Sequence, residues 1–316
     1  MLYMFVIFAF ASAVLSISSQ PRMAVKPGSV VALVTPMKAG TNEIDYPKWT
    51  ALLEWHISQG TDGAVILGTT GESTTISMTE RTELIKAAVS VLKGKMPIIV
   101  GTGTIDPAKV IETSQHALEL GADASLIITP YYVKPPQRAL VKHFTDIADK
   151  VPLPMIVYNC PGRTGVDMKP ETVAQFSGHP MIIGIKDATG DNGRVEIFKK
   201  LCGKDFLCYS GEDDQGCEFV RAGGDGVISV TANVAPNMMH TMLKAAREGR
   251  VDEATKINEV LMPLHKRLFL ESNPIPAKMV LQLMGKIESG IRPPLDNLDN
   301  IHLKALQEAM MIGKLI

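Results

Sequence analysis

From Val30 onward the chain alternates between short apolar runs and longer segments whose apolar positions recur at helical spacing. The runs VVALVTP, GAVILGT, MPIIVGTG, ASLIITP, LPMIVYN, MIIGIKD, DFLCYSG and DGVISVT are nearly continuous in aliphatic residues. Strands covered on both faces read this way, as in a parallel sheet. Between them lie segments such as YPKWTALLEWHISQG, TERTELIKAAVSVLKGK and DPAKVIETSQHALELG, several opening on Thr or Asp and closing near Gly, as capped helices do. Because βαβ crossovers are right-handed and eight of them close on themselves, the pattern predicts an α/β fold, a (β/α)8 TIM barrel over residues 26–235. The competing open, doubly wound sheet needs a Gly-rich dinucleotide turn. GTGTID from Gly101 lacks the third glycine of that turn.

After Thr231 the strand runs stop. Residues 236–316 read as helices, a C-terminal helical appendage whose methionines suit packing. At the other end, residues 1–25 are set aside as an apolar extension outside the core. The uncharged stretch MLYMFVIFAFASAVLSIS fits a secretory signal, a marginal anchor or an over-called start, but lacks the basic residues that a signal carries ahead of its apolar region.

Charge narrows the partners. With 32 basic and 33 acidic side chains, net −1, no sign excess points to nucleic acid or an anionic membrane, so a small molecule is the expected partner. The four cysteines show no CxxC pairing and the seven histidines no HExxH. No metal and no disulfide framework is expected, and a reducing, cytoplasmic setting fits.

Candidate chemistry follows from the barrel, whose sites lie at the carboxyl ends of the strands. Thr69, Thr70, Tyr132, Tyr158, Arg163 and Lys186 all close apolar runs and are expected on one rim. GGDG at Gly223–Gly226 precedes the last strand and reads as a tight turn on the opposite rim. Lys186 ends MIIGIKD, where an ammonium is costly unless it snorkels or pairs with Asp187. Partly desolvated at a barrel mouth, it would instead lose its proton readily and attack carbonyl compounds, as a Schiff-base lysine does. Tyr158 could carry protons for that step, the threonine hydroxyls could bind one carboxylate, and Arg163 a second.

GTTGES, TPYY, YNCPGRTG, GIKDATG and GVISVTANV, in that order, resemble the dihydrodipicolinate synthases, within the pyruvate-lysine aldolase superfamily that also contains N-acetylneuraminate lyases. The resemblance runs from about Gly28 to the C-terminus. It implies a cofactor-free synthase condensing pyruvate with aspartate 4-semialdehyde on the way to diaminopimelate and lysine, and a homotetramer. Lys186 would form the imine and Tyr158 shuttle protons. Thr70 would relay them to Tyr132 of a neighbouring subunit. Thr69 and Thr70 would hold the pyruvate carboxylate, Arg163 that of the aldehyde, and the Ile228 carbonyl would line the pyruvate pocket. The family's lysine-inhibited members bind the product through positions that here read Ser73, Thr74, Met78, Arg81, Ile105, Lys109 and Tyr131. Lys109 stands where those enzymes offer a carboxylate, so weak or absent lysine feedback is expected. The alternatives are a sugar-acid lyase using the same lysine and tyrosine, and a non-catalytic metabolite-binding barrel.

Overall fold

The computed structural model describes residues 23–316. Eight strands, Gly28–Ala32 (β1), Gly63–Ile66 (β2), Ile98–Gly101 (β3), Ala124–Ile128 (β4), Met155–Asn159 (β5), Ile182–Asp187 (β6), Leu207–Ser210 (β7) and Gly226–Ser229 (β8), pair in sequence order as a closed barrel. Every pairing is parallel, and β8 closes on β1 from Gly28↔Gly226 to Val31↔Ser229.

Side chains alternate across each strand, so the aliphatic runs divide into two layers. Val30, Val65, Ile99, Leu126, Ile156 and Ile228 fill the barrel interior. Their neighbours in sequence, such as Val31, Ile66, Val157 and Ile185, pack outward under the helices. Burial on both faces is why the runs carry no polar alternation. The helices start where the caps predict. Ser77 and Glu80 form a reciprocal capping box ahead of Met78–Leu92, and Asp106 caps Pro107–Glu119 with proline in its first turn.

Four helices follow β8: Pro236–Arg247, Val251–Arg267, Ile275–Leu283 and Asn300–Ile312. Pro236–Arg247, grouped with the appendage in the sequence pattern, packs on β1 and on the helix Gly216–Arg221 that precedes β8. Ile275–Leu283 reaches the carboxyl rim, where Lys278 Nζ forms a buried ion pair with Glu72. That pair matters because Glu72, just past the GTT turn, sits in the left-handed region at φ +54° and its other carboxylate oxygen accepts from Arg292 N at 3.0 Å. The C-terminal helices therefore fix the turn carrying Thr69 and Thr70.

The apolar extension from Met1 to Arg22 lies outside the described residues. The last three residues set aside with it are tied to the barrel's amino-terminal end. Met23 N donates to Asp123 Oδ1 at 2.9 Å, and Val25 packs against the interior cluster. An apolar side chain beside the open end of a barrel gains by covering it. No helix of the described residues is long and apolar enough to cross a membrane.

Candidate active site

A cavity of about 110 Å³ opens at the carboxyl ends of the strands. Thr69, Thr70, Tyr158, Arg163 and Lys186 line it together with Cys160, Gly211, Glu212, Val230, Phe269 and Asn273. Five of the seven residues expected from sequence thus meet in one place. Tyr132 does not line it: its side chain is 86% exposed on a backbone at φ +69°. The Ile228 side chain is fully buried inside the barrel, below the cavity that Val230, two residues on, borders.

Strand pairing sets the central contact. Tyr158 on β5 and Lys186 on β6 are register partners facing inward, and Lys186 Nζ lies 4.4 Å from the centre of the Tyr158 ring. Asp187, next in sequence, faces the other way. It accepts from Asn159 Nδ2 at 2.9 Å and Thr189 Oγ1 at 2.9 Å and lies 3.3 Å from Arg194 Nε. The pairing of Lys186 with Asp187 is therefore excluded by the alternation of the strand itself. Among the described residues no carboxylate forms an ion pair with Lys186. Gly211, after β7, makes room for the lysine stem: a Cβ there would stand 3.0 Å from Lys186 Cε and 2.6 Å from the Ala188 methyl.

Electrostatics follow from burial. Lys186 is 6% exposed, and desolvation lowers its pKa to about 8, against the opposing pull of Cys160, Asp213 and Glu212. Burial, with Cys160 beside it, also raises the Tyr158 phenol well above its usual value, so the phenol stays protonated. Glu212 is raised by burial despite Lys186 nearby.

The threonine turn is rigidly held. Thr35 Oγ1 donates to Gly71 O at 2.8 Å, Glu72 N to Thr69 O at 3.1 Å, and Asn273 Nδ2 to Thr70 Oγ1 at 2.9 Å. Among the described residues no hydrogen bond joins Thr70 to Tyr158 or to Tyr132. Arg163 rides on the short helix Pro161–Thr164, ended by Gly165 at φ +71°, where only glycine is unstrained. Its side chain is exposed at the cavity mouth, free to meet an incoming anion.

Asn273 and Glu212 were not anticipated. Glu212 lies directly after the β7 run, so the strand-end rule that found Lys186 applies equally to it. Asn273 comes from the C-terminal helices, 203 residues from its partner Thr70, and only the Asn-Pro step marks its position as a built turn.

A closed parallel barrel holding a desolvated lysine against a phenol at its carboxyl rim defines an enzyme class, the lyases that act on carbonyl substrates through an amine. Comparison with known proteins makes the assignment specific. The model of the dihydrodipicolinate synthetase family matches residues 26–312, and the chain belongs to that family. The 4-hydroxy-tetrahydrodipicolinate synthase of Alcanivorax borkumensis is 47% identical over 283 residues, covering 90% of this chain and 96% of the relative. That of Coxiella burnetii is 48% identical over 287 residues, covering 90% and 98%. Among solved structures, the chloride-inhibited dihydrodipicolinate synthase of Acinetobacter baumannii, complexed with pyruvate, superposes with a TM-score of 0.90 at 44% identity. The match covers 93% of this chain and all of that one.

Proposed function

We infer that this chain is a 4-hydroxy-tetrahydrodipicolinate synthase, condensing pyruvate with aspartate 4-semialdehyde through a Schiff base on Lys186. Beyond family membership, the observation that carries the reading is the Lys186 ammonium, buried over the Tyr158 ring at the end of β6 with no ion pair among the described residues. The free amine adds to the ketone carbon of pyruvate, and Tyr158 supplies the proton with which the carbinolamine oxygen leaves as water. The imine then acidifies the adjacent methyl, which gives a proton to the Tyr158 phenolate and becomes an enamine; its carbon attacks the aldehyde, and the alkoxide formed takes that proton back. Attack of the amino group of the condensed chain on the imine carbon closes the ring and frees Lys186.

Thr69 and Thr70 bind the pyruvate carboxylate in this scheme, Arg163 binds that of the aldehyde, and the Ile228 carbonyl borders the pyruvate. Thr70 relays protons to Tyr132 of a second subunit in a homotetramer. Tyr132 and Val133, both strongly exposed beside one another, support a subunit contact there. Four free cysteines suit a cytoplasmic enzyme.

Turnover measured side by side on aspartate semialdehyde and on N-acetylneuraminate, each with the same protein, tests the reading. Fast condensation with the first and no cleavage of the second is expected. Preferential cleavage of the sugar acid would reassign the chain to the lyase branch.

The lysine pKa fixes a pH profile. With a value of about 8, roughly one amine in ten is unprotonated at pH 7, and only that form attacks. The value of kcat/KM for pyruvate should rise about tenfold per pH unit below 8 and level off above it. A profile flat from pH 6 to 9 contradicts the assignment of Lys186. Feedback should be weak as well: Lys109 and Arg81 both line the pocket where an inhibitory ammonium would have to sit. Half-maximal inhibition by submillimolar L-lysine in an initial-rate assay would disprove this.

A further inference from the structure

The ends of β6, β7 and β8 build the cavity wall around Lys186, and a side chain that the mechanism does not use joins two of them. Gly211 and Glu212 follow β7, Val230 follows β8, and all three line the cavity with Lys186. Gly211 lies against the lysine stem, and its N–H donates to Asp187 O at 2.7 Å. Directly after Glu212 comes Asp213, 2% exposed, whose side chain reaches from the β7 loop to the turn after β8. Its Oδ2 accepts from Val230 N at 2.8 Å and from Thr231 N at 2.9 Å. The same turn is held from two further sides. His265, on the helix Val251–Arg267, meets Thr231 Oγ1 through Nδ1 at 2.8 Å. Asn233 donates from Nδ2 to Ala32 O at 2.8 Å, and its Oδ1 accepts from Val34 N at 3.0 Å.

Two amide hydrogens converging on one buried carboxylate oxygen form a charge-assisted clasp, stronger than a neutral contact of the same length. Its geometric effect is to fix Val230 relative to Glu212. Its electrostatic effect reaches further. Asp213 forms no ion pair among the described residues, and its Oδ1 is buried without a hydrogen-bond partner there. His265 is 1% exposed, and burial lowers its pKa against the pull of Asp213 and Asp214, so the ring is uncharged at neutral pH. The field of Asp213 therefore meets no cation in its own network and falls on Lys186 through an interior of low dielectric. Lys186 is faced by Tyr158, Cys160 and Arg163 from β5 and its loop, and by Glu212 and Asp213 from the β7 loop. Burial lowers its pKa to about 8, and Cys160, Asp213 and Glu212 oppose that fall. Glu212 borders the space that substrate enters, whereas Asp213 stands behind the wall and acts without touching it.

We propose that Asp213 is a positioning residue for Lys186: its carboxylate clasps the turn after β8 to the β7 loop and places a fixed negative charge behind the reactive amine. That role rests on Lys186 being the reactive amine, as read above, and not on which aldehyde its enamine meets.

Competitive labelling of the full chain with acetic anhydride between pH 6 and 10, quantified at Lys186 by peptide mass spectrometry, reads the amine without any substrate. Asp213→Asn keeps an acceptor oxygen for the two amides and loses the charge. Its labelling midpoint should fall by about 0.5 pH unit or more, and the inflection of kcat/KM for pyruvate should move with it. His265→Gln disturbs the same turn without removing a charge, and its midpoint should stay at the native value. Asp213→Glu keeps the charge but sets it one methylene out of place, so its midpoint should lie closer to native than that of Asp213→Asn while kcat falls about tenfold. That variant decides the matter should Asp213→Asn fail to fold. An unmoved midpoint in Asp213→Asn, an equal fall in His265→Gln, or a native kcat in Asp213→Glu would each overturn the proposal. If the native chain proves inactive on aspartate semialdehyde while the midpoints move as expected, the proposed reaction fails and the clasp stands.

Discussion

Replacement of Lys186 by methionine should remove condensation activity, by on the order of 10⁴ to 10⁶-fold in kcat, as deletion of a covalent nucleophile does. Borohydride reduction in the presence of pyruvate should leave a stable adduct on Lys186 of the native chain, found by peptide mass spectrometry, and none on the variant. An adduct at another lysine, or residual activity within tenfold of native, would move the chemistry elsewhere. The same substitution should make the protein more stable. The ammonium has no ion pair among the described residues, and its pKa of about 8 against an ordinary 10.5 corresponds to about 3 kcal/mol of cost to the folded state. Between pH 8 and 10.5 the unfolded chain holds this proton and the folded chain does not, so native stability should climb with pH across that window. Below pH 8 the whole penalty applies. Lys186→Met removes it, so the gap between the two denaturation midpoints should be largest at neutral pH and shrink toward pH 10. Stability withheld at a reactive group is the usual accompaniment of an active site.

That cost is also what made the lysine readable in the sequence. A charged residue closing a strand buried on both faces breaks the local pattern, and such breaks concentrate where function requires them. The barrel was legible for a related reason. Eight aliphatic runs of similar length, separated by capped helical segments, admit few topologies, and strand order in the structure is the simplest of them. Reading strand ends then brought Thr69, Thr70, Tyr158, Arg163 and Lys186 to one cavity, because the rule needs only the direction of each strand. What stayed hidden depends on contacts distant in sequence. Asn273 on Thr70, and Lys278 on Glu72, tie the C-terminal helices to the second βα turn across more than 200 residues, and no periodicity encodes such a meeting. Tyr132, expected to act in a neighbouring subunit's site, lies outside this cavity, exposed on a left-handed backbone, and strand direction does not specify that turn.

Tyr158→Phe is the sharper test of how the amine is used, because it removes one hydroxyl and little else. The ring that packs over Lys186 remains, so the desolvation that lowers the lysine pKa remains, and the inflection at the top of the acid limb of the pH profile should stay near 8. Proton transfer to the departing carbinolamine oxygen is lost, and kcat should fall by about 10² to 10⁴-fold. The KM for pyruvate should change little, because the proposed carboxylate contacts lie on the threonine turn and not on the phenol. Trapping with borohydride should still label Lys186, only more slowly, since imine formation itself is impaired and not abolished. If the variant instead keeps its rate and shifts the profile toward pH 10, the tyrosine acts by excluding water from the lysine, and the proton carrier must be sought among the other groups of the cavity, Glu212 first, whose carboxyl burial holds above its usual range.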